Sequence, residues 1–151
     1  MAVESATLLK DSILFIRDYI NTNITDPISA SRGDRERFCM TSFPERNVKY
    51  PIVTVTDAGV IAPVPSGLQS NTMAVVIPIE IRIWARNVKE RDYLFQEVYE
   101  SLRTAQHTAT TGTIANGLYD FDLSSTVNVD EPGEAGIKSK VMTIRYLFVA
   151  E

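Results

Sequence analysis

The stretch VVIPIEIRIWARNVKERDYLFQEVYESL, from Val75 to Leu102, changes its hydrophobic period in the middle. Val75, Ile77, Ile79, Ile81 and Ile83 occupy every second position, with Glu80 and Arg82 between them. That alternation predicts a strand with one face in the core. At Asn87 the period lengthens. Asn87 and Glu90 have the spacing of a capping box, with Asn in place of the usual Ser or Thr, and Arg91, Leu94, Phe95, Val98, Tyr99 and Leu102 follow as a helical stripe. A strand therefore passes into an amphipathic helix, expected to end near Gln106, and no catalytic-looking residue stands at the junction.

The segments on either side extend this pattern. From Glu4 to about Asn21, Leu8, Leu9, Ile13, Ile16, Tyr19 and Ile20 recur at helical spacing, with Lys10, Asp11, Arg17 and Asp18 on the opposite face. A long polar connection follows, over about 25–46, with a short strand expected near Phe38 to Thr41. VKYPIVTVTDAG reads as a strand closed by a turn, with Pro51 implying an edge or a bulge. A second long loop is expected at about 60–72. GLYDFDLSSTVNV and KSKVMTIRYLFVA, separated by DEPGEAGI, predict an antiparallel hairpin whose second strand, apolar on both faces, is central or covered by a partner. Two stripes need one surface to bury. The expected fold is α+β, one domain over 1–151, with a mostly antiparallel sheet and both helices packed on one face.

Bulk chemistry narrows the function. The chain has 151 residues, a formal net charge of -4 and one cysteine. Such a charge supplies no positive field for nucleic acid or anionic membranes, and no apolar run is long enough to cross a bilayer. MAVESATLLKDS lacks the basic start and apolar centre of a signal peptide, so the expectation is a chain that is soluble and intracellular when made. Cys39 allows no intramolecular disulfide and no multi-thiolate zinc site, and reads as a small side chain near a loop.

Chemical motifs are few. His107, the single histidine, reads as a polar residue at a helix end. Asp120 and Asp122 are expected on the solvent side of a strand, with Tyr119, Phe121 and Leu123 on the other side; Asp130, Glu131 and Glu134 are expected at an acidic hairpin tip. Arg32, Arg35 and Arg37 lie close together in SRGDRER, a pattern suited to an acidic partner surface, although Asp34 and Glu36 interleave with them. The Arg-Gly-Asp triplet there is a coincidence of letters. No phosphate loop, metal-ligand pair or nucleophile elbow is present, which favours a binding or assembly role over an enzyme.

Three stretches carry a family likeness: the helix LLKDSILFIRDYI followed by VKYPIVTVTDAG, the strand and helix VVIPIEIRIWARNVKERDYLFQEVYESLR, and the closing hairpin GLYDFDLSSTVNVDEPGEAGIKSKVMTIRYLFV. In the order of these elements, across nearly its whole length, the chain resembles the tail terminator, or tail-completion, proteins of tailed phages and related viruses. The resemblance implies a structural virion protein, not an enzyme, that needs no cofactor or metal. It would close with copies of itself into a ring, by analogy a hexamer, on the head-proximal end of the tail tube. Such a ring ends tube polymerisation and offers a surface to the neck or connector. Its partners would be itself, the tail tube protein and the neck protein; its place the tail-neck junction, and the host cytoplasm during assembly. Other neck proteins, such as stoppers and connector subunits, share these features. On this reading Arg32, Arg35, Arg37, Glu131 and Glu134 are the candidate interface residues. A competing expectation is a small enzyme or ligand-binding domain with a site near His107, Tyr119 and Asp120.

Overall fold

Runs of β-branched residues cannot leave their backbone groups unpaired, and in this chain they collect into a single mixed sheet that gives both helical stripes a surface to bury. The structure is a computed structural model that describes residues 3, 7–33, 36–43, 48–59, 62–65, 73–130 and 136–150. In chain order the elements are α1 (Leu8–Asn23), β1 (Cys39–Met40), β2 (Ile52–Asp57), β3 (Ala62–Pro65), β4 (Met73–Ala85), α2 (Val88–Ala105), β5 (Tyr119–Asp130) and β6 (Lys138–Ala150). Two 3-10 turns, at Ser29–Ser31 and Ile114–Asn116, sit in the connections.

The sheet runs β1, β2, β4, β6, β5. Only the short β1–β2 pair is parallel; the others are antiparallel. β6 pairs with β4 along its full length, so β2 and β3 share the other side of β4, β2 opposite residues 79–84 and β3 opposite 73–76. β6 is thus a central strand, which explains its apolar residues on both faces. β2 is flanked by β1 and β4 at its start. Pro51 stands just before that strand, after a cis Tyr50–Pro51 bond, and not on an edge or a bulge within it.

The alternation of β4 decides which face is the core. Ile77, Ile79, Ile81 and Ile83 are fully buried. They form one apolar cluster with Val53 and Val55 of β2, Met142, Ile144 and Tyr146 of β6, Phe15, Ile16 and Ile20 of α1, and Leu94, Val98 and Leu102 of α2. Both helices therefore cover the same face. Each fully buried aliphatic side chain contributes about 1.5–3 kcal/mol, so the three from α2 fix its position on β4 and β6.

At the start of α2 the Asn87 side chain accepts a hydrogen bond from the Glu90 amide at 2.8 Å. The Arg86 amide in turn donates to Glu90 Oε1, one residue earlier than in a standard capping box, and the Glu90 carboxylate also pairs with the Arg86 guanidinium. That pairing holds the Glu90 carboxyl below its usual range. In α1 the buried stripe is rotated from the expected one. Asp11 and Ser12 lie inside with Phe15 and Ile16. Ser12 donates to the Leu8 carbonyl, and Thr7 donates to the Asp11 carboxylate, which is how two polar groups tolerate burial.

β5 also departs from simple alternation. Its pairing with β6 shifts between Tyr119 and Asp122 and again between Leu123 and Ser125, and Asp120 has φ of 53°. Each shift inserts an extra residue, a β-bulge, which reverses the facing of what precedes it. Tyr119 and Asp122 consequently lie opposite Leu147 and Arg145 on the helix-free face, while Phe121 packs against Tyr146 with ring centroids 5.5 Å apart. The expected grouping of Tyr119 with Phe121 and Leu123 does not hold.

Candidate interface groove

Between the C-terminal half of α1 and the outer edge of β1 lies an open groove of about 910 Å³. Its floor comes from Phe38 to Ser42, one wall from Arg17, Asp18, Asn21 and Thr22, and the other from the connection that carries Asp26, Arg32 and Arg37. The sequence placed a polar connection here. Its described part is held by specific bonds rather than left as a plain loop.

Arg32 is the principal tie. Its Nε and Nη2 donate to both oxygens of Asp26, Nη1 donates to the Lys49 carbonyl at 2.9 Å, and Nη2 also donates to the Pro51 carbonyl. The guanidinium lies over the Phe38 ring, 5.7 Å from its centroid. With its side chain only 6% exposed, Arg32 joins the connection to the entry of β2 and is not offered to a partner. Asp26 is fixed in turn by accepting from the Ile28 amide.

Asn21 closes the edge of the sheet. Its Oδ1 accepts from the Cys39 amide at 2.9 Å and its Nδ2 donates to the Cys39 carbonyl at 3.0 Å, the two bonds that another strand would otherwise make. Cys39 itself is buried, and desolvation pushes its thiol up to about 12. It is a neutral core side chain at physiological pH, in agreement with the reading from sequence.

Of the expected interface residues, Arg37 alone is both described and available. It is exposed at the groove rim. Arg17, on the opposite wall, pairs with Asp18 at 2.8 Å. Arg35, Glu131 and Glu134 lie outside the described residues, as do 44–47, 60–61 and 66–72 of the two expected long loops; within the second loop, β3 adds a short strand to the sheet. His107 is in the turn after α2, and Tyr119 and Asp120 begin β5. All three are exposed, and no hydrogen bond or ion pair joins them among the described residues.

The helix-free face of the sheet carries a feature that strand alternation alone did not reveal. Arg82 stacks on Trp84, its Cζ 4.1 Å from the ring centroid, and its Nη2 donates to Ser139 Oγ at 3.3 Å. Burial lowers the pKa of this guanidinium, against the opposing pull of Glu80. Trp84 donates through Nε1 to Thr54 Oγ1 at 3.3 Å, and Phe43 packs on it with centroids 4.7 Å apart. The two-residue spacing of Arg82 and Trp84 signals a shared face, but not what covers it.

Among the described residues no group of three or more His, Cys, Asp or Glu side chains is placed to hold a metal ion, and no helix is long and apolar enough to cross a membrane. No family model and no curated protein matches the chain.

Proposed function

We propose that the protein is a structural subunit of a tailed virion, a tail terminator that closes into a ring at the head-proximal end of the tail tube, ends tube growth and joins the neck. The reading rests on the order of elements it shares with that family. The observation that carries it furthest is the difference between the two ends of the sheet. One end presents a charged groove closed by Asn21, the other a free strand, β5. A ring subunit needs two unlike surfaces, because head-to-tail contact joins different patches on neighbouring copies.

Native mass spectrometry and cryo-electron microscopy of the purified protein, and of particles assembled in its presence, test this. The expected result is a closed ring of copies located between tube and neck. A chain that stays monomeric at every concentration and is missing from particles overturns it.

A further inference from the structure

The turn that leads from α2 into β5 is tightly built around one amide side chain. Gly112 lies so close to the end of α2 that a Cβ there would collide with the Ala105 and Thr108 carbonyl oxygens. In this position the Gly112 carbonyl accepts from Asn116 Nδ2 at 2.8 Å, and the Thr110 carbonyl accepts from the same nitrogen at 3.2 Å. The backbone carbonyl of Asn116 accepts from the Val3 amide at 3.1 Å. Asn116 is thereby fixed in place and only 9% exposed, with both of its side-chain hydrogens in use. Among the described residues nothing donates to its Oδ1. An acceptor is all that this side chain has left to offer.

Asn116 lines a cavity of about 270 Å³ between this turn and the later turns of α1. Phe15 and Tyr19 give it aromatic surface, with ring centroids 6.4 Å apart, and Asp18, Thr110 and Thr111 stand at its exposed rim. Both contacts of Arg17 with Asp18 go to Oδ1, so Oδ2 remains an acceptor without a partner among the described residues. No lysine, arginine or histidine lines the cavity among the described residues.

We propose that this cavity binds an alkylammonium group, carried on a small amine or at the end of a lysine side chain. A carboxylate, a fixed acceptor and aromatic carbon all favour a cation. An anion would face Asp18, and an apolar occupant would strip water from Asn116 Oδ1 without replacing its hydrogen bond. The volume falls below the roughly 300–1,000 Å³ of sites that hold drug-sized ligands, which suits a single chain of a few carbons. The inference rests on the cavity alone and holds whether or not the protein forms a ring.

The probes are n-butylammonium chloride and lysine blocked at both ends, each protonated near neutral pH; the controls are n-butanol, sodium butyrate and sodium chloride at matching concentrations. The readout is the Asn116 side-chain amide and the Thr110 and Thr111 backbone amides in NMR spectra of the full chain. Both ammonium probes should shift these signals saturably, and the controls should not. Because Asn116 variants lose two structural bonds, the variant of choice is Asp18→Asn, on a side chain 56% exposed. It should keep its melting temperature and bind the probes about threefold more weakly. Tighter binding of the blocked lysine assigns the site to a polypeptide side chain, and equal or weaker binding assigns it to a free amine; either result upholds the proposal. No saturable shift at tens of millimolar overturns it. So do equal shifts from butanol, butyrate or sodium chloride, or unchanged affinity in Asp18→Asn.

Discussion

The two ends of the sheet solve the same physical problem differently. At β1, two hydrogen bonds from a helix side chain replace a missing strand, and a buried guanidinium fixes the chain around it. At β5 a longer strand, with an uncharged run from Leu123 to Val129, has no second strand beside it among the described residues. Edge protection is therefore a local property, set by whether a neighbouring helix brings an amide side chain within reach. α1 does so at Asn21; α2, which packs mainly over β4 and β6, meets β5 through the Tyr99 ring against Phe121, and the residue after it, Gln106, accepts from the Phe121 amide near the bulge.

The comparison can be broken most forcefully at Arg32. Replacing it with Ala leaves Asp26 and the Lys49 and Pro51 carbonyls without their donor, and the loss of one partner of a buried pair should cost about 3 kcal/mol in urea unfolding. A Val127→Ala change on the exposed edge should cost far less, within about 0.5 kcal/mol. Equal effects at the two ends would remove the distinction.

Asn21→Leu opens the closed end. Two backbone groups of a buried residue lose their partners, at about 1–3 kcal/mol, and the Cys39 amide should then exchange faster than in the parent protein while the β5 amides are unchanged. The alkaline side offers a further test. Because burial raises the Cys39 pKa to about 12, the folded state keeps a proton that the unfolded chain releases. This contribution is fully present below the unfolded thiol pKa and is lost as pH rises toward the folded value. Stability should fall by on the order of 1 kcal/mol between about pH 9 and about pH 10, and Cys39→Ala should abolish that part of the fall in a denaturation series.

The smallest effect on stability is expected at Arg37. As an exposed residue it should change unfolding by less than about 0.5 kcal/mol when replaced by Ala. If the groove is an assembly surface, the same change should lower the yield of joined particles, and an unaltered yield removes Arg37 from the interface.

The strand-to-helix switch at Asn87 was legible because period and capping chemistry agree there, and with it came the α+β class, the placement of the helices and the central position of β6. Other features were hidden because they depend on contacts distant in sequence. Arg32 and Arg37 look alike in SRGDRER, and only the approach of Asp26, Lys49 and Pro51 turns one into an internal tie. Asn21 lies at the end of an ordinary amphipathic helix, with nothing local to mark it as the cap of a strand. The bulge at Asp120 inserts a residue without a Gly or Pro to announce it, so alternation placed Tyr119 on the wrong face.

Trp84 is the only tryptophan in the chain. Because its indole stands on the helix-free face between a cationic group and Phe43, its fluorescence is a built-in optical gauge of that surface. A partner settling on the sheet changes the polarity around the ring and shifts its emission, whereas events confined to the helical layer leave the colour of that light unchanged.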